Sequence, residues 1–202
     1  MPTDWDHRYR SATDGALFGD DPVDTLLAAA RLPGWPPQTA LMLADGDGRN
    51  GTWLAKEGSA TVAVDVSAEA ARLAQARDAG AGVTVERIVA DLRVWSPEAR
   101  RFEAACAFYL QGPAELRRHT ITLACAALSP GGWLLVEGFS TAQAALALGP
   151  DDPDKLYCLD TLLSWCAGLE TVLAETERLH LASGTRHRGE AEIVRLIARR
   201  RA

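Results

Sequence analysis

The chain has 202 residues, 48% of them hydrophobic and 24% charged, with a formal net charge of −6. That is the balance of a globular protein with one sizeable core, and it leaves little room for two full domains. The negative charge argues against nucleic acid as a partner, and no apolar run approaches the ~20 residues that cross a bilayer.

The opening MPTDWDHRYR is polar and mixed in charge, unlike a signal peptide, so a cytoplasmic location is expected. Val23 to Leu32 reads as a short helix, stopped by the proline pair of PGWPP. Thr39 to Leu43 is an apolar run of strand length, and Asn50 to Glu57 reads as a helix ending at Gly58. Ala60 to Val64 is β-rich. Ser67 is a good N-cap for an alanine-rich helix from Ala68 to Ala79, with Gly80 as its stop. Val83 to Val89, Phe102 to Phe108 and Trp133 to Glu137 are three further strands. Ala114 to Leu128 is the helix before the last of them, closed by the turn SPGG. Then the pattern changes. Ser140 to Asp154 reads as a loop, Lys155 to Cys166 as a helix, and Glu170 to Ala182 and Glu190 to Arg199 as two strands joined by SGTRHRG.

Near-continuous apolar strands separated by helices indicate a parallel sheet covered on both faces, and a short connection between two strands indicates antiparallel pairing. The expected architecture is α/β: a doubly wound, mostly parallel seven-stranded sheet ending in an antiparallel hairpin. It is expected to form a single domain over 1–202, with 1–35 as an N-terminal lid and 36–202 as the core. Cys106, Cys125, Cys158 and Cys166 form no CxxC pair and have no histidine at metal-ligand spacing, so neither a metal site nor a disulfide framework is expected. Arg199 to Arg201 reads as a solvated tail.

The stretch LMLADGDGRNG carries the chemistry. Gly46-Asp47-Gly48-Arg49-Asn50-Gly51 is a literal G-x-G-x-x-G, and it follows the first strand, where open α/β sheets bind ligands. Two cofactors compete for it. A dinucleotide would bring its pyrophosphate against Asp45 and Asp47, and at about 4–6 Å each carboxylate would repel it by roughly 1 kcal/mol or more. S-adenosylmethionine has no phosphate and carries an ammonium and a sulfonium, which acidic residues attract. Asp65, ending the second strand, suits the ribose of either. Asp91, in VADL after the third strand, suits an adenine amino group. Gly51 falls inside a helix, so the last glycine of the pattern reads as coincidence. The balance favours S-adenosylmethionine.

The ordered set WDHRY, LFGDDPVDTLL, LADGDGRNGTWLAKEG, VAVDVS, VADL, LSPGGWLLVEGF and RHRGEAEIVRLIAR resembles the class I S-adenosylmethionine-dependent methyltransferases. Within them it is similar to the small branch that includes the tellurite-resistance methyltransferases. The resemblance implies a Rossmann-like methyltransferase fold. It places Ala44, Asp45, Gly46 and Gly48 around the methionine part of the cofactor, with Arg49 and Asn50 starting the helix behind. It places Asp65 on ribose, Val66 beside adenine, and Asp91 and Leu92 around the adenine ring. Ala107, Phe108 and Tyr109 would lie near the transferred methyl. The sequence departs from the family's pattern at Met42, where an acidic residue is frequent, and at Ala44, where the first glycine would stand.

A soft acceptor such as a thiol or a chalcogen oxyanion needs no general base, whereas an amine or hydroxyl usually does. No Asp, Glu or His follows Tyr109 directly, and His119 is expected to face solvent. Arg8 and Tyr9 on the N-terminal lid, Tyr109, and Arg186 with His187 are the substrate-side candidates. Glu137 and Phe139 could wall the pocket. The expected partner is therefore a small soft or anionic acceptor, with the protein a monomer or homodimer. The alternatives are a cofactor-binding module with impaired catalysis, a methyltransferase of protein or RNA, and a nicotinamide oxidoreductase.

Overall fold

The computed structural model describes residues 4–11, 17–146 and 148–202. Asp4–Arg10 forms α1 and Asp24–Ala29 forms α2. The alternation then runs β1 (Thr39–Leu43), α3 (Arg49–Lys56), β2 (Ala60–Asp65), α4 (Ala68–Ala81), β3 (Glu86–Val89), β4 (Phe102–Phe108), α5 (Ala114–Ala127) and β5 (Leu128–Phe139). After two short 3-10 turns come α6 (Leu159–Trp165), β6 (Glu170–Ser183) and β7 (His187–Arg199). The strands make one seven-stranded sheet in the order β3-β2-β1-β4-β5-β7-β6. β1 to β5 pair in parallel, while β7 runs antiparallel to both β5 and β6.

Alternation along each strand sorts the core into two layers. Leu41 and Leu43 join Val62, Val64, Ala105 and Ala107 on the face covered by α5, where Ile121 and Ala124 are fully buried. Ala40 and Met42 join Ala63, Ala104 and Cys106 on the other face, under Leu26 of α2 and Leu54 of α3. Because both faces are covered, β1 reads as an unbroken apolar run. Truncating Leu41 to alanine in this setting costs about 2–5 kcal/mol.

Several boundaries differ from the sequence expectation, each for a local reason. The helix at 23–32 is regular only over Asp24–Ala29. Ser67 does cap α4, its side chain accepting from the Ala70 N–H, but the helix passes Gly80 and stops at Gly82, whose φ of 68° supplies the left-handed cap. β3 begins at Glu86 rather than Val83. SPGG does not end the fifth strand's approach; it is an excursion within β5, since Leu128 pairs with Phe102 and Trp133 with Ala104. A Cβ on Gly132 would sit 2.9 Å from the Ser129 carbonyl oxygen, so the excursion requires glycine there. The helix expected from Lys155 starts only at Leu159. Lys155 closes a 3-10 turn, and Leu156 to Cys158 are extended instead, with Tyr157 bridging to Ser140 and its ring filling the space over Gly138. RHRG is not a hairpin tip, because β7 begins at His187 and the turn is Gly184 to Arg186.

Candidate active site

A cavity of about 700 Å3 opens at the carboxyl ends of β1, β2 and β4. That volume is in the range of pockets that enclose drug-sized ligands, roughly 300–1,000 Å3. Its floor is the loop after β1. Ala44, Gly46 and Gly48 there take φ of 58°, 58° and 88°, so the chain turns through three left-handed residues before α3. Gly46 lines the cavity, and its N–H donates to Asp65 Oδ2 at 2.8 Å. A Cβ at Gly46 would overlap the Tyr9 hydroxyl.

The loop carboxylates do not point where the sequence reading placed them. Asp45 turns inward: its side chain is 0% exposed, Oδ1 accepts from the Gly51 N–H at 3.1 Å, and Oδ2 pairs with Arg87 at 2.5 Å. Arg87, itself 4% exposed, also holds Asp78 at 2.9 Å and donates to the Thr52 hydroxyl at 3.1 Å. Burial pushes the Asp45 carboxyl up to about 6, against the pull of Arg87. Asp45 therefore presents backbone to the cavity, and its charge is spent within the protein. Asp47 is likewise buried and pairs with Arg77 at 3.4 Å. The electrostatic argument against a phosphate fails on these two residues.

Two glycines are corrected by the same network. Gly51 is required, because a Cβ there would overlap the Asp45 carboxylate; the last glycine of G-x-G-x-x-G is not a coincidence. Gly48 does not line the cavity, and its hydrogen faces Ala74 and Arg87, so it seats the loop on α4. Arg87 and Asp78 were missed by the sequence reading. One signal was available: Ala70, Ala74 and Asp78 lie four apart on the buried side of α4, and a carboxylate in that series needs a buried cation.

The remaining cofactor-side candidates gather as expected around the cavity. Asp65 accepts from the N–H groups of Gly46 and Ser67, leaving each oxygen a further lone pair, and burial raises its pKa. Val66, Asp91, Leu92 and Phe108 line the wall, with Asp91 in the turn beyond β3 and its carboxylate held by Arg93 at 2.5 Å. Arg49 and Asn50 line it too. Arg49 donates to the carbonyls of Phe18 and Asp21, and Asn50 accepts from Val23 N–H at 3.0 Å. Ala107 is the exception, fully buried in the core and away from the cavity.

The substrate-side candidates divide. Tyr9, Tyr109 and His187 line the cavity, together with Trp5, Phe18 and the exposed His119. Arg8 does not; it lies over the Trp5 ring at 4.7 Å. Arg186 sits in the exposed β6–β7 turn, also outside. Glu137 and Phe139 stand behind the wall rather than in it, Glu137 accepting from Thr25 N–H at 3.0 Å. His187 is 3% exposed, with rings of Tyr109, Phe18 and Phe139 at 4.5, 4.9 and 5.6 Å. Burial, with Arg49 nearby, lowers its pKa to about 3. Tyr109 has φ 51°, and its hydroxyl is buried beside the Glu137 carboxylate without a well-formed hydrogen bond. Among the described residues, no group of three His, Cys, Asp or Glu could hold a metal ion, all four cysteines are free, and no helix is long and apolar enough to cross a membrane.

A parallel sheet closed by an antiparallel β7, with a glycine loop after β1 and a carboxylate ending β2, defines a Rossmann-like nucleotide-cofactor enzyme. Residues 40–132 match a family model described as a methyltransferase domain, and with that match the fold and the loop are those of an S-adenosylmethionine-dependent methyltransferase. No curated protein sequence matches it. Among solved structures it is similar to one described by the conversion of a disulfide bond into a thioacetal group during echinomycin biosynthesis. That match has TM-score 0.76 and 18% identity over 98% of this chain and 90% of the other. It is also similar to the N-methyltransferase NodS from Bradyrhizobium japonicum in complex with S-adenosyl-L-homocysteine, with TM-score 0.72 and 15% identity over 98% and 99%. A third is TehB from Haemophilus influenzae, with TM-score 0.69 and 15% identity over 87% of this chain and 61% of that one. At these identities the likeness is one of fold.

Proposed function

We propose that this methyltransferase acts on a small molecule carrying a soft nucleophile, a thiol foremost. The observation that carries the reading is the character of the wall beyond the cofactor loop. It is built of Phe18, Phe108, Tyr109 and the uncharged ring of His187, while Arg8 and Arg186 lie outside. A multiply charged oxyanion placed against such a wall would lose its hydration at a cost of several kcal/mol, and the cation beside His187, Arg49, is already engaged by the Phe18 and Asp21 carbonyls. That narrows the sequence expectation from soft or anionic acceptors to soft ones. The neighbour concerned with a disulfide and a thioacetal supports sulfur as the atom.

The residues present suit the cofactor. Asp65 keeps lone pairs for two ribose hydroxyls, Val66 and Leu92 offer apolar faces to a base, and the backbone of Asp45 and Gly46 borders the space for the methionine part. When bound, S-adenosylmethionine supplies a methyl group on a sulfonium. Transfer to a thiolate removes both charges, and such a step is favoured where aromatic walls hold water away. Trp5 and Tyr9 of α1 complete that enclosure on the side of the loop. The test is product analysis of the purified protein with S-adenosylmethionine and a panel of small thiols, tellurite, selenite, amines and phenols. Thiol methylation above all others is the expected result; methylation confined to an oxyanion, amine or phenol would overturn the reading.

A further inference from the structure

We infer that Gln111 selects the methyl acceptor: its side-chain amide recognises a neutral hydrogen-bonding group, a carboxamide or a hydroxyl, carried on the body of the thiol. The inference rests on the small-thiol reading above and adds a second functional group to that substrate. Gln111 lies in the connection from β4 to α5, just past Tyr109 and Leu110, where it is half-buried and lines the cavity. Its amide makes no hydrogen bond among the described residues, yet it keeps open surface. The Tyr109 hydroxyl and His187 Nε2, by contrast, are buried behind the wall.

The backbone is held on both sides of Gln111. The Tyr157 hydroxyl donates to the Leu110 carbonyl at 3.4 Å, and Arg117 Nε donates to the Gly112 carbonyl at 3.1 Å. Arg117 is itself buried, with its guanidinium 4.6 Å from the centre of the Tyr157 ring. A Cβ on Gly112 would sit 2.7 Å from Leu116 Cδ2, so the chain there is pressed against α5. A side chain mounted on so firmly fixed a connection is presented in one place, as selectivity requires.

The chemistry of the amide defines the ligand. A carboxamide offers one acceptor and two donors without charge. An ammonium or a carboxylate brought beside it would lose water and meet no opposite charge on the glutamine. Glu115 and Arg118, further along α5, are exposed at the lip, where water and salt screen them. A neutral carboxamide or hydroxyl exchanges hydrogen bonds with Gln111 instead. A thiol with a hydrocarbon body fills the same space and leaves the glutamine amide dehydrated and unmatched, and a site of this kind discriminates against ligands that lack the polar group. Pro113 and Leu116, which line the cavity beside Gln111, offer contact to the apolar remainder of the body.

The experiment compares two pairs of thiols matched in shape: N-acetylcysteamine with isohexyl mercaptan, and mercaptobutanol with pentyl mercaptan. In the parent protein the polar member of at least one pair should have the higher kcat/KM, by about ten-fold. Gln111→Leu should abolish that preference while S-adenosylhomocysteine affinity stays within about two-fold. A glutamine with only a structural role would slow both members alike, and a ratio unchanged by Gln111→Leu in both pairs overturns the inference. Nitrogen NMR of glutamine-labelled protein saturated with S-adenosylhomocysteine reads the contact without relying on the folding of Gln111→Leu. The Gln111 amide is the one of four that is missing from Gln111→Glu. It should shift with N-acetylcysteamine and stay in place with isohexyl mercaptan. Should S-adenosylhomocysteine bind but no thiol bind or react, the thiol reading fails by itself. N-acetylethylenediamine and isohexylamine then replace the thiols, and an amide that moves with neither acetamide compound overturns the role of Gln111.

Discussion

Replacing Arg87 with methionine should expose how much of the cofactor loop depends on one cation. The guanidinium lies 2.5 Å from Asp45 and 2.9 Å from Asp78, whose side chains are 0% and 8% exposed. At an effective dielectric near 20, a charge pair at about 4 Å is worth about 4 kcal/mol, and removing one partner of a buried pair costs about 3–5 kcal/mol. Asp78 would keep the Thr52 hydroxyl and Asp45 the Gly51 N–H, which places Arg87→Met inside that range rather than beyond it. The pH dependence gives the sharper test. Asp45 titrates near 6 in the folded protein, above its unfolded value, so protonating it favours the fold. Its contribution is fully present below the unfolded pKa and is lost as pH rises through about 6. Without Arg87 its carboxyl rises further, and the variant should take up a proton at Asp45 rather than carry the bare charge. The deficit of Arg87→Met against the parent should therefore be largest near pH 8 and shrink near pH 5. Urea denaturation at the two pH values measures both. A deficit below about 1 kcal/mol near pH 8, or one that grows toward pH 5, would refute the account of the loop.

Other substitutions test separate parts of the site. Gly51→Ala should destabilise by about 1–3 kcal/mol, since its methyl would overlap the Asp45 carboxylate; thermal melting reads it. Ala44→Gly should stabilise by up to about 1 kcal/mol by relieving a φ of 58°, measurable by denaturant midpoint. Asp65→Asn should weaken S-adenosylhomocysteine binding by about ten-fold to a hundred-fold in calorimetric titration, and it should also lower the melting temperature of the free protein, because one of the two oxygens that accept from Gly46 and Ser67 N–H becomes a donor. Arg8→Ala and Arg186→Ala should leave the turnover of a thiol acceptor unaltered, because neither side chain lines the cavity.

What the sequence disclosed follows the range of the interactions. β1 and β4 were legible to the residue, and β2 to within one, because burial on both faces writes an apolar run into the strand itself. The Ser67 cap was legible for the same reason: its partner is three residues away. The direction of Asp45 was not, since it is decided by Arg87, 42 positions later on another strand. Nor was the split between Arg186 and His187. The hairpin turn had to be placed to the residue before alternation could say which of the two enters the core, and an expected strand start at Glu190 left both outside it. The excursion at Ser129 to Gly132 resembled a turn because Gly132 is needed for close approach to the neighbouring strand and Gly131 for its φ of 77°.

Arg49 and Asn50 stand at the first turn of α3, directly after the glycine loop, yet their side chains grip Phe18, Asp21 and Val23. The two attachments share residues, so they share free energy. Whatever steadies the loop steadies the segment before α2, and by reciprocity whatever fastens that segment improves the loop's hold on its ligand. The N-terminal residues thus act as a thermodynamic partner of the nucleotide site. The functional unit reaches back beyond the matched stretch that begins at residue 40, at least to Phe18.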